Sequence, residues 1–394
     1  MTRECYDAAV LGLGAMGAFT CLELARRGLS VVGLDQFTPP HDRGSHSGDT
    51  RVFRVAYAEH PEYVPLAQRA GQLWDRLGEE AGTVFLHRTG MINLGPEDSP
   101  LIAGIQDSAA KFGLEIEEFP EEEARLRFPA FHPERGSKIL FEPGAGWVDV
   151  NGCLRFALEQ AARASAELRM QARVESCRRE GGDFLIRTTS GTVIARRLIV
   201  AAGAWSGLLL ARLNLPLKVL RKVLVWVKPL HPTPFEPGVF PVFASAGEFF
   251  YGFPNIHGEG VKLAIHWSRE PMQPTDIDVP QPEVDTKEIQ PVLEKAAQLL
   301  PSLAGPLPGA LDRVIRAKPC LYTMTPDEHF IIGRHPYWEN AYIAAGFSGH
   351  GFKFAPAIGE ILAGLALDGK ACLPIGFFSL PRFEEPAARR GVHP

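Results

Sequence analysis

No stretch of this 394-residue chain approaches the roughly 18 uncharged apolar residues that a membrane-crossing helix needs, so no membrane span is expected. Cysteine is scarce: Cys5, Cys21, Cys153, Cys177, Cys320 and Cys372 are scattered and form no CxxC pair. That pattern argues against a disulfide framework and against zinc, and no metal site is expected. The plain reading of each thiol is a small buried hydrophobe. Excess positive charge is also lacking. With 41 basic against 46 acidic residues the net charge is −5, which excludes the basic footprint of a nucleic-acid or anionic-membrane partner. The start passes directly into a strand pattern without the apolar core of a signal peptide. The closing residues, Arg390 to Pro394, lack a peroxisomal Ser-Lys-Leu ending. A cytoplasmic location is expected.

What is present is a length consistent with two to three domains and two glycine-rich breaks far apart in the chain. The first, Gly12-Leu13-Gly14-Ala15-Met16-Gly17, follows the apolar strand pattern Asp7–Leu11 and opens a helical pattern that stops at Gly28. A second strand pattern, Ser30–Leu34, ends at Asp35, 18 residues after Gly17. This is a βαβ unit with a dinucleotide fingerprint. Gly12 permits the tight turn, Gly14 the approach to a pyrophosphate, and Gly17 close helix–strand packing, while Asp35 is placed to accept from a ribose hydroxyl. The motif alone does not separate NAD from FAD. The second break, Gly346-Phe347-Ser348-Gly349-His350-Gly351, follows an apolar strand and precedes another helical pattern. Glycine turns at both ends suggest one long cofactor held by both, which favours a flavin dinucleotide.

Between them, 36–48 reads as a loop, and helical spacing appears over 61–77, 101–112 and 154–166. Strand patterns at Phe184–Thr188 and Thr192–Ile194 lead into Arg197–Trp205. From Pro216 to about Ile315 β-rich runs dominate, which reads as a second domain on a mixed or antiparallel sheet. The expected fold class is α/β (α+β overall), a Rossmann-type FAD-binding domain with a β-rich, mixed-sheet substrate domain. The expected division assigns 1–85, 145–215 and 316–394 to the first, and 86–144 and 216–315 to the second.

Three further groups carry chemistry. In Gly44–Arg54, glycines allow close backbone approach to a flat ring while Arg51 and Arg54 bring cationic forks; the alternative is a solvated basic loop. Lys262 and His266 share a strand face, following Tyr251-Gly252-Phe253-Pro254; the alternative is a surface lysine beside a satisfied histidine. Cys320 begins Cys-Leu-Tyr-Thr, where a thiolate near an electrophilic cofactor can bond covalently; a buried inert cysteine is the alternative.

Together these motifs resemble the monomeric sarcosine oxidase family of flavoproteins, which includes N-methyltryptophan and pipecolate oxidases within the D-amino-acid-oxidase-like superfamily. The matching segments are GLGAMG, PPHxxGSHSGDTR with Arg54, YVPLAQRA, RLIVAAGAW, YGFP, the Lys262/His266 pair, CLYTMTPDEHFIIG and AAGFSGHGFKF. The resemblance implies FAD joined to Cys320 through a thioether and a substrate carboxylate held by Arg54 and Lys353. It implies oxygen reaction promoted by Lys262, with Tyr251, His266 and Tyr322 around the amine and Arg51 by the flavin ring. Cofactor contacts are implied at Gly12, Gly14, Gly17, Asp35, Ser45, Arg51, Val174, Gly203, Gly346, Gly349, Gly351 and Lys353. The implied reaction takes an N-methyl amino acid, O2 and water to the primary amino acid, formaldehyde and H2O2, in a monomer. Trp267 and the stretch 241–247 depart from the family pattern, which leaves sarcosine, N-methyltryptophan and pipecolate or proline open as substrates. A dehydrogenase serving another protein, a non-oxidase flavoprotein and an NAD-binding module remain as rivals.

Overall fold

The computed structural model describes residues 5–267 and 275–383. The C-terminal pentapeptide read above therefore lies outside the described residues, as does 384–394 of the third cofactor segment.

The βαβ unit forms as the pattern requires: strand Ala8–Leu11, helix Ala15–Arg26, strand Val31–Leu34. Gly12 takes φ +95°, a conformation that strains any residue with a Cβ. A Cβ on Gly17 would stand 1.7 Å from the Gly12 carbonyl oxygen, so the helix can approach the turn only as glycine allows. These strands join a six-stranded sheet in the order 167–169, 31–34, 8–11, 198–200, 341–345, 331–334. All neighbours are parallel except the last pair. Helices Ala15–Arg26, Val150–Arg163 and Ala355–Asp368 pack together on one face of it. Strands Val174–Glu180, Asp183–Thr188 and Gly191–Ala195 cover the other through Phe184, Ile186 and Val193.

A second sheet of eight strands runs 314–324, 218–227, 261–265, 250–255, 242–245, 91–95, 138–142, 117–118. Only the pair 242–245 with 91–95 is parallel. The chain is thus α/β with mixed sheets. Period-two alternation sorts Val261–Ile265 cleanly. Val261, Leu263 and Ile265 face an apolar core shared with helix Thr286–Leu299, while Ala264 packs with Cys320 and Tyr322 on the opposite face.

Three expectations change. The β-rich block contains the 14-residue helix Thr286–Leu299, whose Asp285 and Glu288 form a reciprocal capping box. Pro291 within it masks the helical signal. Cys5 and Cys372 are exposed rather than buried, whereas Cys21, Cys153 and Cys320 are buried and Cys177 is half-buried. Strand Val314–Met324 is placed in the large sheet by its ladder with Lys218–Val227, although the sequence division put 316 onward with the cofactor segments.

The loop before strand Thr50–Phe53 is sewn to the large sheet. Ser47 Oγ donates to the Pro319 carbonyl (3.0 Å), Lys318 pairs with Asp42 (2.7 Å) and Arg316 with Asp49 (2.5 Å). Lys262 Nζ reaches the carbonyls of Gly48 (2.5 Å) and Thr50 (2.7 Å). Among the described residues no helix is long and apolar enough to cross a membrane.

Candidate active site

Both glycine breaks open onto one cavity of about 550 Å³ between the sheets. Its wall contains Gly12, Gly14, Asp35, Ser45, Arg51, Val174, Gly203, Tyr322, Gly346, Gly349 and Gly351. Asp35 accepts from the backbone N–H groups of Leu13 and Phe37 (both 2.8 Å), which fixes its carboxylate and leaves lone pairs for a hydroxyl. Arg51 donates to the carbonyls of Thr50 (2.9 Å), Ser45 (2.9 Å) and Ser47 (2.7 Å), so it shapes the loop it belongs to. Gly349 has φ +81°, and a Cβ there would strike the Tyr322 ring at 2.2 Å. His46, which sequence reasoning passed over, also lines this cavity; burial, then His41 and Arg51, push its imidazole down to about 3.

The cavity fits a dinucleotide. Its length runs from Val174 and Asp35 past the glycine turn to Gly349, with bare backbone where phosphate would lie.

A second, smaller cavity of about 50 Å³ shares the wall residues Arg51, Tyr322, Gly349 and Phe352 with the first. Around it stand Arg54, Glu59, Phe249, Tyr251, His266, His350 and Lys353. The structure therefore gathers Arg54, Lys353, Tyr251, His266 and Tyr322 from four distant parts of the sequence. His266 Nδ1 lies 3.2 Å from Tyr322 OH, and burial followed by His350 pushes its imidazole down to about 3, so it is neutral. Lys353 lies here rather than in the wall of the larger cavity.

Gly17, Lys262 and Cys320 lie outside both walls. Gly17 serves packing. Lys262 sits behind strand Thr50–Phe53, where its Nζ also meets Thr50 Oγ1 (3.0 Å). Burial, then Arg51, push it well below the usual lysine range. Even so, two carbonyls and a hydroxyl around one nitrogen match the three donors of an ammonium. Cys320 Sγ lies 3.4 Å from Arg51 Nη2 and 3.8 Å from the Ser45 carbonyl, so its nearest polar neighbours both line the larger cavity.

The sequence reading missed Glu59. Its two carboxylate oxygens each lie 2.6 Å from Arg54 Nη2. Burial opposes its charge, but Arg54 first, with Lys353, holds it down to about 2. Arg54 in turn has a buried Nη1 with no hydrogen-bond partner among the described residues. An unpaired buried donor costs about 1–3 kcal/mol, so this one awaits an acceptor. The turn carrying these groups is held by Glu142, which accepts from Val55 N (2.6 Å) and Ala56 N (3.3 Å). A carboxylate five residues beyond an arginine gives no periodic signal, and only the turn brings them together.

A family model described as FAD dependent oxidoreductase matches residues 7–365. The chain belongs to that family. Among curated relatives, the monomeric sarcosine oxidase of Streptomyces avermitilis is 36% identical over 380 residues, 95% of this chain and 96% of the relative. The N-methyl-L-tryptophan oxidase of Escherichia coli O157:H7 is 34% identical over 384 residues, covering 96% and 100%. Among solved structures, L-proline dehydrogenase from P. horikoshii superposes with TM-score 0.83 over 97% of this chain and 98% of that one, at 24% identity. It shares the fold. For this flavoenzyme, the rival reading as a simple NAD-binding module is set aside.

Proposed function

We propose that this chain is an FAD-dependent oxidase of N-methyl amino acids, with sarcosine as the first candidate substrate. The orphaned Nη1 of Arg54, beside Lys353 in a cavity adjoining the dinucleotide cavity, is the observation that carries this reading. Two cations and a buried unpaired donor suit a small carboxylate.

FAD would lie along Gly12, Gly14, Asp35, Ser45, Arg51, Val174, Gly203, Gly346, Gly349 and Gly351, and when bound it supplies a two-electron acceptor. The residues of the chain do the rest. Arg54 and Lys353 bind the substrate carboxylate, and Glu59 yields its place against Arg54 as that carboxylate arrives. Fixing the carboxylate orients the amine and its methyl group between Tyr251, His266 and Tyr322. Neutral His266 accepts or donates a hydrogen bond without repelling an amine that must itself be uncharged to lose hydride. Phe249, Tyr251 and Phe352 exclude water. The methyl C–H gives up a hydride, two electrons with one proton, and the amine N–H gives up a second proton, leaving an imine. Water then releases formaldehyde and the primary amino acid, while O2 takes the two electrons and two protons as H2O2.

The volume of about 50 Å³ favours sarcosine over bulkier substrates. A second reading, an N-methyltryptophan or cyclic imino acid oxidase, draws on Phe249, which lines the cavity and is backed edge-on by Trp267 at 5.3 Å. Peroxide release measured with sarcosine, N-methyl-L-tryptophan, L-pipecolate and L-proline separates the readings. The expected result is turnover with sarcosine highest. No peroxide from any of the four, with dye reduction in its place, would make the protein a dehydrogenase.

Attachment of FAD at Cys320 is part of the same proposal. Arg51 Nη2, 3.4 Å from the sulfur, would hold it at the edge of the larger cavity. Acid-precipitated protein is expected to stay yellow, and a Cys320→Ser variant to release its flavin to the supernatant. A colourless wild-type pellet removes the tether.

A further inference from the structure

The two cations of the second cavity meet at one residue that neither cavity exposes. Tyr57 is fully buried, and the Arg54 guanidinium carbon stands 4.4 Å from its ring centroid. Its hydroxyl lies 3.1 Å from Lys353 Nζ and 2.7 Å from His350 Nδ1. On the far side of that imidazole, Nε2 lies 3.1 Å from the Glu328 carbonyl.

This chain of contacts has only one consistent direction. A backbone carbonyl accepts and never donates, so His350 Nε2 carries the hydrogen and Nδ1 carries the lone pair. Tyr57 must then donate its hydroxyl hydrogen to Nδ1. The phenol oxygen is left with its lone pairs free for the Lys353 ammonium. The His350 carbonyl takes a second Lys353 donor at 2.8 Å, which leaves the third for the cavity. The Lys353 backbone is fixed as well, because Trp74 Nε1 donates to its carbonyl at 2.8 Å. The ring is held from behind by Tyr63, stacked at 4.6 Å, and its backbone carbonyl accepts from Ser108 Oγ at 2.6 Å.

We propose that Tyr57, oriented by His350, is a positioning residue for the substrate carboxylate: its ring face seats Arg54 and its hydroxyl oxygen aims Lys353. This rests on the reading of Arg54 and Lys353 as the carboxylate site. The pair acts as one piece, so the spacing between the two cations is set by the tyrosine and not by the flexible side chains themselves. A hydroxyl oxygen that can only accept also favours the charged form of Lys353. Burial, then Arg54, depress that amine to about 7, while Glu59 opposes the shift. The charged and titratable groups facing Lys353 are Arg51, Arg54, Tyr57 and Glu59 from strand Thr50–Phe53 and the segment after it, Tyr251, His266 and Tyr322 from the large sheet and its end, and His350.

The test uses the flavin-loaded enzyme and methoxyacetate, which keeps the carboxylate and carries no oxidisable amine. Binding is followed by calorimetry across pH. In the wild type, affinity falls as pH rises through about 7, where Lys353 loses its proton. Tyr57→Phe keeps the ring under Arg54 and removes the oxygen. It is expected to weaken binding about tenfold, the size of one charge-assisted hydrogen bond, and to move the alkaline limb to lower pH by about one unit. In a Lys353→Met background the same Tyr57→Phe change is expected to cost nothing. His350→Leu leaves Tyr57 intact but frees its hydroxyl to turn, and a several-fold loss is expected there too; this variant carries the test if Tyr57→Phe does not fold. Unchanged affinity in both Tyr57→Phe and His350→Leu, with Lys353→Met still weakening binding, overturns the positioning role and spares the carboxylate site. Additive losses in the double variant do the same. If Lys353→Met itself leaves binding unchanged, the carboxylate reading falls.

Discussion

Arg54→Leu is expected to cut kcat/KM for sarcosine by between about 30-fold and several thousand-fold, with the flavin absorbance spectrum unaltered. The range follows from truncating one member of a desolvated, hydrogen-bonded charge pair, which costs about 2–5 kcal/mol. The variant loses the unpaired Nη1 that would meet the substrate. It also strands Glu59, a carboxylate only 10% exposed, without its main counter-charge. Stability should therefore drop as well, since an uncompensated buried charge is itself worth several kcal/mol. The two effects separate in the double variant Arg54→Leu/Glu59→Gln. Removing the stranded carboxylate is expected to restore thermal stability but not kcat/KM. Recovery of both would mean that Arg54 only neutralises Glu59, and that the substrate binds elsewhere. Steady-state kinetics and thermal unfolding of the three proteins decide the matter.

Lys262→Met should slow the reaction of the reduced enzyme with O2 by about 10²–10³-fold, while anaerobic reduction by sarcosine changes by less than a few-fold. The size is that of removing one preorganised group from a site where charge develops on oxygen. Lys262 lines neither cavity, so its effect must pass through strand Thr50–Phe53 as charge, and a low-dielectric path lets a buried charge act across that distance. Methionine keeps the length and apolar stem while removing the three donors. The carbonyls of Gly48 and Thr50 then lose their partner, which costs about 1–3 kcal/mol of stability. Stopped-flow measurement of the two half-reactions gives the answer. Equal slowing of both would assign Lys262 to the scaffold alone.

Much of this was legible in the chain. Gly12, Gly14 and Asp35 announce a dinucleotide because strand, turn and helix each leave their own local signal. The alternation of Val261–Ile265 puts Lys262 and His266 on one face for the same reason, although only His266 lines a cavity. Glu59, Tyr57 and His350 leave no such signal. They lie outside helices and strands, Glu59 meets Arg54 only because the turn folds back, Tyr57 meets His350 from 293 residues away, and their roles depend on hydrogen-bond direction, which no spacing encodes. Helix Thr286–Leu299 was hidden by Pro291, although Asp285 and Glu288 already held the capping pattern. The alternation marked the face that carries Lys262 but left a surface lysine open, and it said nothing about strand Thr50–Phe53 lying between that lysine and the cavity.

The ties between the 42–50 loop and the large sheet have a consequence for the timing of turnover. With Ser47, Asp49, Asp42 and two carbonyls bonded to Pro319, Arg316, Lys318 and Lys262, the two sheets cannot hinge apart without breaking all of these contacts together. On the proposed carboxylate site, entry to the inner cavity would then fall to side chains, with Arg54 and Glu59 exchanging partners as the substrate arrives. Rotamer exchange is far faster than the microsecond-to-millisecond closure of a domain. Turnover would then be paced by bond-making steps and the escape of product, and viscosity should leave the rate of flavin reduction almost untouched.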